Sequence, residues 1–166
     1  MITFVVFGKA APAGSKRGFV IRNKSGAIVT RKNGSPVVAI TDANPNSREW
    51  KNLVTDCARQ NYRGDLLRGP LRLTLKFFRP RPKGHIGSKG HTKAGRAMPH
   101  PTSKPDVTKL VRGVEDALTG IVWADDAQIV DQHASKQWGE PARCEITIEE
   151  LTPSAVNGAP AAGYPF

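Results

Sequence analysis

The alternation of Leu71, Leu73, Leu75 and Phe77 with Arg72, Thr74, Lys76 and Phe78 constrains the fold more than any other stretch of this chain. A period of two sends successive side chains to opposite sides of an extended backbone, so this segment predicts a half-buried strand with one apolar face. Two further segments carry the spacing of a helix instead. Residues 47–61 place Trp50, Leu53, Val54, Cys57 and Ala58 on one side, with Ser47 or Asn46 as the cap. After Pro105, Asp106 is placed as an N-cap, and Val107, Leu110, Val111, Val114 and Leu118 form an apolar stripe that Gly120 closes. On the polar side of that helix, Arg112 and Asp116 stand four apart and predict a surface ion pair.

Shorter apolar runs complete the set. Residues 2–7 read as a first strand and residues 144–148 as a last one, while residues 19–21, 27–29 and 37–40 predict a β-ribbon. The ribbon's turns fall at 23–26 and 32–35, where Asn and Gly supply hairpin geometry. With 166 residues, the chain fits one domain of common size. The opening apolar run is too short for a membrane span and lacks the pattern of a signal peptide, so a cytosolic location is expected. Cys57 and Cys144 are far apart and imply neither a disulfide framework nor a zinc pattern, and both are expected as buried free thiols.

Charge then narrows the function. The net charge is +11 and the pI about 10.1, the footprint of a polyanion binder. Residues 1–40 hold seven Lys or Arg and no acid, and residues 79–112 hold nine against the single acid Asp106. The pattern then inverts. Residues 113–131 contain Glu115, Asp116, Asp125, Asp126 and Asp131 with no Lys or Arg. Acids grouped beside a basic run need a neutralising partner, and a divalent cation is one candidate.

The segment from Arg79 to Pro105 is rich in Gly, Lys and His and longer than most loops of compact domains, so it is read as a functional loop that orders on DNA. Its cations Arg79, Arg81, Lys83, Lys89, Lys93, Arg96 and Lys104 are the expected DNA contacts. Irregular spacing of His85, His91 and His100 leaves zinc ligation, phosphate or base contact, and plain exposure all open. Asp125 and Asp126 stand adjacent. In a strand only one of them faces a given side, whereas in a turn both can converge, and an exposed turn with no further role is the bland alternative. Trp123 and Trp138 read as packing residues rather than base-stacking platforms.

Lys104-Pro105-Asp106, Glu115-Asp116-Ala117-Leu118 and the run from Trp123 to Val130 resemble the RusA family of Holliday junction resolvases. The resemblance is strongest from Lys104 to Asp131 and extends over residues 1–151. It implies an α+β fold of one domain, a mixed β-sheet with two main helices, assembled as a homodimer. It also implies Mg2+-dependent cleavage of four-way junctions and other branched DNA, with Mn2+ as a second candidate ion, in the host cytoplasm if the chain is phage-encoded. Asp106 and Asp126 are then metal-holding catalytic carboxylates, with Asp125 beside them. Lys109 and Arg112, one helical turn beyond Asp106, would face the scissile phosphate, or else remain solvated helix cations.

One departure stands out, because the family commonly has a second Asp two residues after the first, and this chain has Thr108 there. A neutral hydroxyl is a weaker ligand for a hard cation than a carboxylate. Asp125, Asp116 and Glu115 are the candidates to compensate, and the alternative is a DNA-binding protein that binds branched or single-stranded DNA with weak catalysis or none. Residues 152–166, rich in Pro, Ala and Gly, read as a flexible tail.

Overall fold

The computed structural model describes residues 1–13, 16–42 and 44–151, so the expected tail at 152–166 lies outside the described residues. Strands β1 (Ile2–Phe7), β4 (Leu71–Arg79), β7 (Ile129–Trp138) and β8 (Arg143–Glu150) form one sheet in the order β1-β8-β4-β7. Antiparallel pairing joins β1 to β8 and β8 to β4, and parallel pairing joins β4 to β7, which makes the sheet mixed. The register stacks the apolar alternation into rows. Ile146 lies between Phe4 and Leu75, Cys144 between Val6 and Phe77, and Ile148 between Ile2 and Leu73.

Helices α1 (Ser47–Asn61) and α3 (Val107–Leu118) bury Trp50, Val54, Ala58, Leu110, Val114 and Leu118 in the same core as these rows. The α+β class and the two main helices therefore stand, joined by a short α2 (Lys93–Ala97). Gly113 permits the close fit of α3, since a Cβ there would approach the Ala11 carbonyl oxygen to 3.1 Å. The opposite sheet face is polar. There Arg72 bonds Asp131 and lies 3.9 Å from Glu149, while His133 approaches the second oxygen of Asp131 at 3.0 Å.

Three expectations change. The ribbon is two strands, β2 (Lys16–Val20) and β3 (Val38–Asp42), with residues 21–37 joined by isolated bridges at Arg22–Ile28 and Thr30–Pro36 and by backbone bonds among Ile21, Val29 and Val37 rather than by a third strand. The side-chain oxygens of Asn23 and Asn33 tighten the two turns, so polar local bonds displace a continuous middle strand. Second, the basic segment is not one long irregular loop. It holds a 3-10 turn at Lys83–His85, the two-residue strands β5 (Ile86–Gly87) and β6 (Gly90–His91), and α2. Its anchor is Trp138, which donates to the Met98 carbonyl at 3.0 Å, meets His85 edge-on at 5.9 Å and lies under Arg81. Third, β7 runs far beyond its apolar start. The polar stretch after Val130 extends because parallel pairing with β4 supplies its backbone partners.

Cys144 is buried, but Cys57 is only half-buried and donates its thiol to the Val5 carbonyl. Among the described residues, no helix is long and apolar enough to cross a membrane.

Candidate nuclease site

Edge strand β7 sits beside α3, and the rows that are apolar elsewhere in the sheet become polar there. Leu73, Leu75 and Phe77 register with Gln132, Ala134 and Lys136. Gln132 donates to the carboxylate of Glu115 near the end of α3. Lys136 donates to the Ser103 and Pro105 carbonyls at 2.8 and 2.9 Å, just before the helix begins. This seam between α3 and β7 therefore has two ends, about 13 Å apart by the helical rise from Asp106 to Glu115.

At the first end, Asp106 occupies the N-cap position of α3 with extended backbone, but its side chain makes no capping bond. The expected cap is a position without its hydrogen bond. The carboxylate stays exposed, with Lys109 Nζ 3.8 Å away. Around it, Arg79 donates to the Ser103 and Lys104 carbonyls, and Lys136 lies within reach of both Arg79 and Asp106. Burial, and then the Arg79 charge, lower the Lys136 pKa, opposed by Asp106.

At the second end, Asp125 and Asp126 lie in a turn, as the convergent alternative required, but they are used differently. Asp125 caps a short 3-10 helix, Asp126–Gln128, by accepting from the Ala127 amide at 2.9 Å. Gln128 completes the box. Its amide oxygen accepts from the Ala124 and Asp125 amides, and its amide nitrogen donates to the Leu67 and Gly69 carbonyls, all at 3.0 Å. Asp126 is exposed and its carboxylate makes no hydrogen bond among the described residues, while its charge reaches Glu115. Desolvation raises the Glu115 pKa, opposed by the Gln132 hydrogen bond and increased by Asp126 and Asp116.

The candidates to replace the missing carboxylate at Thr108 now separate. Asp125 is committed to the turn. Asp116 pairs with Lys51 of α1 at 2.8 Å rather than with Arg112, because helix packing brings Lys51 to it. Glu115 is left, seven residues beyond Thr108 and so on the same helical stripe as Thr108 and Arg112.

Arg79 and Arg81, expected to touch DNA, bind loop carbonyls of the protein itself, Arg81 reaching those of Gly95 and Met98. Arg96 donates to the His91 carbonyl. The side chains of Lys83, Lys89, Lys93 and Lys104 are exposed and have no partner among the described residues. His85 is buried against Trp138, and His91 and His100 are exposed; no group of three His, Cys, Asp or Glu that could hold a metal forms among the described residues. Mg2+ is nonetheless commonly held by one or two carboxylates with water and substrate phosphates completing its shell. The Asp106 carboxylate at one end of the seam, and Asp126 with Glu115 at the other, each offer oxygen donors of that chemistry. Gln132 and Lys136 carried no signal in the sequence, since each acts through contacts distant in the chain, and Gln128 stood in the motif without its bonds to Leu67 and Gly69 being legible.

The family model for endodeoxyribonuclease RusA matches residues 19–149, which include both ends of the seam. "Uncharacterized protein YqaN" of Bacillus subtilis (strain 168) is 32% identical over 152 residues, covering 91% of this chain and 97% of that protein.

Proposed function

The chain belongs to the RusA endodeoxyribonuclease family, and from that premise we propose that it cuts four-way and other branched DNA by paired symmetric nicks, with Mg2+ or Mn2+ as cofactor. One observation carries the reading: the fold uses Asp125 as a cap and Asp116 as an ion-pair partner, but among the described residues the exposed carboxylates of Asp106 and Asp126 make no hydrogen bond, Asp106 having only Lys109 at 3.8 Å. Charged groups that the fold does not need are where chemistry is expected.

Asp106 would hold a divalent cation at one end of the seam, and Asp126 with Glu115, on the helical stripe of the carboxylate that Thr108 lacks, would hold one at the other. When bound, a divalent cation supplies Lewis acidity toward the scissile phosphate and offsets charge on the departing oxygen. Lys109 and Arg112 orient that phosphate and stabilise its added negative charge. Lys136 holds the backbone ahead of Asp106, and Gln128 holds the turn that presents Asp126. Lys83, Lys89, Lys93 and Lys104 carry the DNA arms through phosphate contacts. Two related strands must be cut, which a two-fold dimer accomplishes with one site each.

The test is cleavage of an end-labelled four-way junction and of a linear duplex with the same arms, in Mg2+ and in EDTA, with Asp126→Asn as control. Symmetric nicks in the junction alone, abolished by EDTA and by the substitution, are expected. Tight junction binding with no cutting in Mg2+ or Mn2+ would replace this reading with the binding-only alternative.

A further inference from the structure

A cleft of about 800 Å³ opens beside Asp106, between the segment after β1, the start of α1 and the segment that leads into α3. Its size is that of a site for a small organic group, in the range of a few hundred to a thousand Å³. The lining has three chemistries. Leu53, 43% exposed, gives it an apolar wall, with the buried ring of Trp50 behind it. Asn46 and Glu49, at the first turn of α1, bring a carboxamide and a carboxylate, both exposed and without hydrogen-bond partners among the described residues. Lys9 and Lys104 are exposed cations with no partner there either, and Lys109 adds a third beside Asp106.

An apolar wall takes the face of a base, neutral and acidic hydrogen-bonding groups read its edge, and cations hold the phosphate attached to it. A phosphate alone would leave the apolar wall and Glu49 unused, and a purely apolar ligand would leave three cations unused. We propose that this cleft receives one nucleotide unstacked from the strand to be cut, its base inside and its phosphate toward Asp106. Resting on the reading of the chain as a branched-DNA nuclease, the inference adds that cutting requires a base withdrawn from the helix. Junctions offer such a base cheaply, since unstacking costs least where pairing is already broken.

The test places 2-aminopurine at successive positions around the cut site of a four-way junction and binds the full chain to it in EDTA, so that no cleavage is read. Fluorescence is expected to rise several-fold at one or two adjacent positions. Leu53→Phe, which narrows the cleft, should abolish that rise while junction affinity by anisotropy stays within about threefold. Should Leu53→Phe fail to fold by circular dichroism, Glu49→Phe at an exposed position carries the same test. Unchanged fluorescence at every position, or an equal rise with the narrowed cleft, overturns the inference. So does a result in which a free deoxynucleoside monophosphate binds the cleft but the junction's bases stay stacked. Loss of junction binding by the unaltered chain would instead overturn the reading on which the inference rests.

Discussion

Gln128 is the residue whose removal should most directly separate the positioning of Asp126 from its chemistry. Its amide makes four hydrogen bonds, two to the Ala124 and Asp125 amides and two to the Leu67 and Gly69 carbonyls. Gln128→Leu keeps much of the side chain's bulk and deletes all four. At about 1 kcal/mol net for each, the ceiling is about 4 kcal/mol. Water can replace the partners of the two exposed amides, whereas the two bonds to carbonyls are part-buried, so about 2–3 kcal/mol is expected. In a chain of this size each kcal/mol shifts Tm by about 2–4 °C, which gives a fall of about 5–10 °C in thermal denaturation. Gln128→Glu retains both acceptor bonds but loses the two part-buried donor bonds and turns an anionic oxygen toward the Leu67 and Gly69 carbonyls, so a fall at least as large is expected. Junction cleavage, assayed well below both transitions, should drop for Gln128→Leu by more than its unfolded fraction explains, because Asp126 has lost its aim. A Tm within about 2 °C of the parent, or full cleavage at a temperature where the variant is folded, would refute the argument that Gln128 fixes the turn.

Glu115→Gln should act in opposite directions on stability and on cation binding. Because the native carboxyl holds its proton above the ordinary range, stability falls as pH rises from the usual carboxylate value through the raised one; the amide removes that penalty. Melting at neutral pH should therefore be equal or higher for the variant in EDTA, and its rise on adding Mg2+ smaller; an unchanged Mg2+ response would remove Glu115 from the donor set. Asp131 has the reverse sign. The Arg72 hydrogen bond lowers its pKa below 3.8, so its stabilisation is complete above that value and lost as pH falls through the lower native one. Asp131→Asn should be less stable at neutral pH and show a shallower loss below about pH 4 in acid titration followed by circular dichroism. Lys136→Met should cost about 1–2 kcal/mol, since two bonds to carbonyls are lost while a desolvated charge is relieved. Hydrogen exchange should accelerate at the amides of Ser103, Lys104 and Asp106, and unchanged exchange there would count against Lys136 as the support of Asp106.

Local periodicity alone specified much of this molecule. The strands at 2–7, 71–78 and 144–148 and the helices at 47–61 and 107–118 were legible because each turns one apolar side toward the core. Asp106, Asp126, Lys109 and Arg112 were legible as a motif. The tertiary structure decided which neighbours those groups have. Strand β7 carries polar residues on both faces, so periodicity could not announce it; its hydrogen bonds to β4, far away in the chain, make it a strand and bring Gln132 and Lys136 beside α3. Asp125 and Asp126 are alike in sequence, but the capping box binds one and releases the other. Glu115 and Asp116 are likewise adjacent, and the packing of α1 gives Asp116 to Lys51 while β7 gives Glu115 to Gln132. Backbone period and side-chain type are properties of a few consecutive residues, whereas whether a carboxylate is neutralised, capped or left free depends on atoms that only folding brings within a few ångströms.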